Sequence, residues 1–214
     1  MQSRLITVIM TGLILATLCS DSMAISAKIY LDELAAKADY VILGSVAKKK
    51  TIFKKVRDNS GKVISFDNEG SIHSISVKKV FFAKDPSLKR EKEVYFFQKM
   101  ISLDLPMLFP NKSYLLFLKE ASVDPVFAKK YDLPRGKYFT VVAGRQGQIA
   151  SSDLLYLNAT RVFFRVKRIK NEKQRLKEWK KLLNSDNLEI RKAAKGELEK
   201  VDFKAKVDKI KRNK

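Results

Sequence analysis

The stretch "ADYVILGSVAKKK", residues 38–50, decides how this chain is read. Residues 40–47 form a continuous apolar run with one glycine, which suits a strand covered on both faces. Gly44 predicts a bend within that strand. Three consecutive lysines, Lys48, Lys49 and Lys50, then mark the expected exit of the strand from the core into water. On the other side, Leu31, Leu34, Ala35 and Ala38 recur at spacings of three and four. Asp32 and Glu33 lie in the first turn of this pattern, where the helix dipole favours acids. A short helix over about 26–38 therefore leads into the first strand.

Further strand-like segments follow. "TIFKKV" (51–56) and "KVISF" (62–66) flank "RDNSG" (57–61), a turn-rich hairpin connection. "FDNEG" (66–70) reads as another turn, and "SIHSISVKKVFF" (71–82) alternates with His73, Ile75, Val77 and Phe81 on one side. "KEVYFFQ" (92–98), "SYLLFLKE" (113–120) and "KYFTVVAG" (137–144) complete the set, and "GRQG" (144–147) reads as a tight turn. The breakers are "DPS" (85–87), "LPMLFPNK" (105–112) and "DLPRG" (132–136). Many short strands after one helix predict a mainly β domain over 25–164, a small antiparallel barrel or sandwich. Residues 165–214 have no proline and are rich in helix formers. Leu176, Trp179, Leu182 and Leu183 share one helical face, "NSDN" (184–187) offers N-cap residues, and Leu188, Ile190, Ala194, Leu198 and Val201 form a second stripe. This segment is expected to be a helical hairpin packed on the barrel or a semi-detached helical tail.

Residues 1–24 have the order of an export signal: Arg4, the apolar run "LITVIMTGLILATL" (5–18), then "SMA" (22–24) with small residues before a cut after Ala24. The apolar run is shorter than the roughly 20 residues of a comfortable bilayer span, although retention as an anchor is the rival reading. Cleavage would remove Arg4 and Asp21 together, leaving the formal charge at +21, and would remove Cys19, the one cysteine. The expected protein is therefore exported, periplasmic or secreted, and free of disulfides. A charge of +21 attracts polyanions. An export signal argues against nucleic acid and for anionic lipid headgroups, acidic glycans or wall polymers. Residues 165–214 hold 19 Lys/Arg against 8 Asp/Glu, about half of the excess.

The sequence offers little catalytic chemistry. One histidine, His73, and no cysteine after residue 24 leave the common zinc ligand sets unfilled. "FDNEG" lacks the ligand spacing of a calcium loop. A serine–histidine–acid triad would need His73, which sits on the apolar side of a strand, as a core or edge histidine does. "GRQGQ" lacks the lysine–serine/threonine ending of a phosphate-cradling loop, although Arg145 at its tip could touch an anion. No cofactor is expected. The remaining candidates are basic clusters interleaved with aromatics: "KKKTIFKKVR" (48–57) around Phe53 and "TRVFFRVKRIK" (160–170) around Phe163 and Phe164. The competing reading turns those three phenylalanines toward the core. The candidate anion- or partner-binding residues are Lys48, Lys49, Lys50, Lys54, Lys55, Arg57 and Arg145.

The order of a helix, "ADYVILGSV", "HSISVKKVFF", "VYFFQ", "NKSYLLFLKE" and "KYFTVVAGRQGQI" resembles exported bacterial domains with an oligonucleotide/oligosaccharide-binding (OB) type barrel, over about residues 28–150. Those are similar in fold to netrin and tissue-inhibitor-of-metalloproteinases domains. Such inhibitors reach a protease metal through an N-terminal cysteine, and the chain after residue 24 has none, so protease inhibition does not carry over. "LNSDNLEIRKAAKGELEKV" (183–201) resembles one HEAT-type helical repeat. The expectation is a non-catalytic exported binding protein that contacts a protein or an anionic envelope polymer through a basic surface, with peripheral membrane contact among its modes. Two alternatives stand beside it: a hydrolase whose acids converge only in the fold, and a nucleic-acid-binding OB protein if residues 1–24 are not an export signal. Oligomeric state is not legible.

Overall fold

The structure, a computed structural model, describes residues 29–99 and 106–212. The export-signal reading of residues 1–24 lies outside the described residues. Helix α1 (Leu31–Lys37) leads into β1 (Tyr40–Arg57), which turns into β2 (Val63–Ala83). Then follow β3 (Glu93–Lys99), β4 (Ser113–Ala121), α2 (Pro125–Lys130), β5 (Tyr138–Val141) and β6 (Gln148–Ala150). The C-terminal helices are α3 (Leu154–Lys167), α4 (Glu172–Leu182) and α5 (Leu188–Arg212). The molecule is thus mostly sheet with helices gathered toward the C-terminus, and no helix among the described residues is long and apolar enough to cross a membrane.

Five strands pair in a closed ring. β1 is antiparallel to β2 on one edge and to β4 on the other, β3 joins β2, and β5 joins β4. A short parallel pairing, Tyr95 to Tyr138 and Phe96 to Phe139, closes β3 onto β5, and β6 adds to β4. The apolar run 40–47 is covered on both faces, as its composition predicts. Tyr40, Ile42 and Val46 join Ile75, Phe96, Leu116 and Phe139 in the cluster enclosed by the ring. Val41 joins Leu115, Phe117 and the helices in a second cluster outside it. A register shift falls between Leu43 and Gly44, where an added Cβ would lie 2.6 Å from the Ile75 side chain, so the predicted bend is a bulge with close strand contact.

The lysine cluster does not end the strand, contrary to the sequence reading. β1 continues through it to Arg57, and "FDNEG" is part of β2 rather than a turn. Two observations account for this. Lys50 Nζ donates to the carbonyls of Tyr131 (2.8 Å) and Asp132 (3.0 Å), and Ile52 is buried with Ile72, Leu133 and Tyr138. Past the ring, β1 and β2 run on as a two-stranded ribbon, coiled by register shifts between Ile52/Phe53 and Val56/Arg57. The predicted "RDNSG" turn closes it: Asp58 Oδ1 accepts from the Ser60 and Lys62 amides (2.9 and 3.0 Å), and Gly61 takes φ 83°.

The second basic-aromatic cluster lies on a helix, and its core-facing reading holds. Residues 160–167 belong to α3, which spans the expected boundary at 164/165 and is capped by the Asp153 carboxylate. Phe163 and Phe164 are buried, with Phe164 stacked on Phe82 (5.3 Å) and Phe163 against Trp179 (5.4 Å). The C-terminal helices therefore pack on the sheet in a shared core, the first of the two arrangements the sequence allowed. Asn187 caps α5 through the Glu189 and Ile190 amides. Lys200 binds Asp32 (2.8 Å) and Glu197 (3.1 Å), and Lys167 binds Glu197 (2.8 Å), which ties α1, α3 and α5 together. Burial pushes the Glu197 carboxyl up, but the two lysines outweigh it and hold the group below its ordinary range.

Candidate functional site

Strand alternation sorts the predicted cations into different surfaces. Lys49, Thr51, Phe53, Lys55 and Arg57 occupy one face of the ribbon, while Lys50, Ile52, Lys54 and Val56 occupy the other. Lys48, two residues before Lys50, is exposed. The partners of the first face are fixed by register: Phe53 lies opposite Asn68 and Lys55 opposite Phe66. Phe53 and Phe66 are 51% and 61% exposed, and diagonal neighbours on one face of an antiparallel pair lie within reach of each other. The inward reading of Phe53 is thereby overturned, while it holds for Phe163 and Phe164. Arg57 Nη1 donates to the Gly61 carbonyl (2.6 Å), which folds it back over the turn.

Toward the ring, the same face runs into a cleft of about 440 Å³. Two cross-strand rows floor it. Thr51, Ser71 and Gln98 form one, and Lys49 and His73 the other. Asn68 lines the cleft from β2, Pro106–Pro110 from the loop before β4, and Arg145 from the turn after β5. On that loop, Met107 and Phe109 are 55% and 57% exposed. Of the seven predicted residues the structure thus brings Lys49 and Arg145 to the cleft and sets Lys55 and Arg57 beside exposed phenylalanines. Lys50 is turned onto the 131–132 carbonyls, and Lys54 lies on the opposite face of the ribbon from Lys55. Ser71, Gln98 and Phe66 were not singled out by sequence, and Asn68 only within "FDNEG". The alternation of "SIHSIS" was a signal for Ser71 and His73 sharing a face, but their partners depend on register shifts.

His73 is 1% exposed. Its ring packs on Phe96 (5.5 Å between centroids), and its Nε2 lies 3.0 Å from Ser71 Oγ. Nδ1 is buried and has no hydrogen-bond partner among the described residues. Burial first, and then the Lys49 charge, push the imidazole from its ordinary 6.5 down to about 4, so it is uncharged at neutral pH. Ser71 and His73 do not make a triad, because no described carboxylate orients Nδ1. Among the described residues no three His, Cys, Asp or Glu side chains converge on a metal position. No protein-family model and no curated protein matches the chain.

The histidine gives the first expected result. Ring resonances of His73 followed by NMR titrate near 4, and a value near 6.5 would show that the burial is wrong. The sign for stability follows from the depressed value. Stability is fully present above about 6.5 and falls as pH drops toward 4, because the unfolded chain takes up the proton first. Relative to His73→Phe, the wild type loses at most about 3 kcal/mol across that window.

Proposed function

We propose that this chain is an exported, non-catalytic binding protein whose β1–β2 ribbon engages an anionic lipid surface of the cell envelope. The observation that carries the reading is the ribbon face itself, on which exposed Phe53 and Phe66 alternate with Lys55 and Arg57. Apolar side chains that enter the headgroup boundary, combined with cations that attract anionic lipid, are the requirements for peripheral membrane binding. Met107 and Phe109 extend the apolar rim beyond the ribbon. The export-signal pattern of residues 1–24 supports an envelope location. The ring order β1-β2-β3-β5-β4, with β3 and β5 parallel, supports an OB-type barrel, a fold whose first hairpin connection is commonly a binding element.

Co-sedimentation with vesicles tests the proposal. The protein should bind phosphatidylglycerol vesicles, leave phosphatidylcholine vesicles, and lose binding as salt rises. Phe53→Ser with Phe66→Ser should weaken binding roughly a hundredfold, from the lost transfer of two phenyl groups. Phe203→Ser, at an exposed phenylalanine on α5, should leave it unchanged. Equal binding to neutral vesicles, or an unaltered double variant, would overturn the reading. Binding to a soluble polyanion such as heparin without vesicle binding would replace lipid by an acidic polymer.

A further inference from the structure

The cleft at the base of the ribbon is built differently from the ribbon face. Its floor is a set of polar side chains on three adjacent strands, where the neighbouring interior is apolar. Thr51, Ser71 and Gln98 stand in one cross-strand row, and Lys49 stands opposite His73 in the next. A polar row at the end of an apolar interior is costly unless its groups are paired. His73 Nδ1, buried and without a partner among the described residues, is left unpaired. Such an orphaned group in a native protein calls for an explanation. A bound ligand supplies one.

We propose that this cleft binds an oxyanion of the phosphate class, as free phosphate or as a phosphate monoester, held by Lys49, Arg145 and the Ser71–His73 pair. The donor set selects the chemistry. Two cationic side chains, the Thr51 hydroxyl and the amides of Asn68 and Gln98 line the cleft beside the Ser71–His73 pair, and no aspartate or glutamate among the described residues does. A carboxylate has two oxygens, too few to use so many donors, whereas a phosphate presents three or four. The histidine fits the same demand without a charge of its own. When Ser71 donates to Nε2, the single ring proton stands on Nδ1, and an oxyanion that accepts it selects this tautomer. The volume, about 440 Å³, accommodates a phosphate with a small organic group. The inference does not rest on the membrane reading. The phosphate could come from a soluble monoester or from a lipid headgroup, and the two sources are separable.

The test uses the full chain with histidine side-chain NMR and titration calorimetry. Inorganic phosphate and glycerol phosphate are added first. Vesicles of phosphatidylcholine with and without phosphatidate follow. Saturable single-site binding that shifts the His73 ring resonances is expected with the soluble probes or with the phosphatidate vesicles, and which of them works identifies the source. Lys49→Gln and Arg145→Gln should each weaken that binding roughly ten- to hundredfold, the loss of one charge-assisted hydrogen bond. Lys173→Gln, an exposed cation on α4, should not change it. If none of the probes moves the His73 resonances, or if both cleft variants bind as the wild type does, the inference falls. Vesicle binding that needs Phe53 and Phe66 but is indifferent to Lys49 and Arg145 would overturn the cleft site and leave the ribbon reading standing.

Discussion

Trp179→Ala lowers the unfolding free energy by about 3–5 kcal/mol, the range for removing a large buried aromatic side chain. Trp179 is 2% exposed and lies on α4 between α3 and α5. Its ring meets Phe163, and through that residue it belongs to a cluster containing Val41, Leu115 and Phe117 of the strands and Ile190, Ala193 and Ala194 of α5. The cavity would therefore open where the sheet and the helical segment share one core. The effect should appear as a loss of stability for the whole chain. Urea unfolding followed by far-UV circular dichroism checks the size. In the wild type, fluorescence of this single tryptophan should change together with the β signal. A variant within about 1 kcal/mol of the wild type, or two separate wild-type transitions, would mean that the helices do not stabilise the sheet.

What could be read from the sequence follows what physically decides each element. Residues 40–47 and 114–118 announce central strands because both of their faces are covered, one inside the ring and one beneath helices. The "RDNSG" turn was legible because its chemistry is local: an Asp58 carboxylate bonding nearby amides and a glycine in the left-handed region. The ribbon was not legible. Its strands persist through lysines because Ile52 finds cover from Leu133 and Tyr138, some eighty residues away. Helix α3 was split because its buried positions, among them Tyr156, Leu157, Thr160, Phe163, Phe164 and Val166, make a helical stripe only when counted from the Asp153 cap. Quoted from Thr160 onward, the segment shows only cations around Phe163 and Phe164, and the helical stripe is lost. The candidate site depended on register most of all. Lys49 meets His73 because Ala47 bulges out of the pairing between Val46 and Lys48. One residue of slip would send Lys48 or Lys50 there instead.

Gly147→Ala should cost about 3 kcal/mol or more, at or above the upper end of the usual overpacking penalty. A Cβ built at this position would lie 2.0 Å from the Val142 carbonyl oxygen and 2.8 Å from a methyl of Val141. The first of these neighbours is backbone, so no rotamer change can relieve the overlap, and the turn itself must move. That turn is already constrained. Ala143 and Gly144 both take left-handed φ values, 54° and 55°, and Val142 donates its amide to Phe117 in β4 (2.8 Å). Gln146, from the same turn, accepts the Ile29 amide through Oε1 at the entry to α1. Displacing residues 143–147 would therefore disturb the β4–β5 edge and the N-terminal entry together. It would also carry Arg145 away from the cleft. The measurement is paired: thermal unfolding for the stability loss, and phosphate-probe titration under conditions where the variant remains folded. The expected result is weaker binding than in Arg145→Gln, because a displaced turn alters the cleft wall as well as the charge. A variant with wild-type stability would show that the close approach of Gly147 to Val142 is not maintained in solution. A folded variant that binds phosphate as well as the wild type does would instead remove the turn, and Arg145 with it, from the binding site.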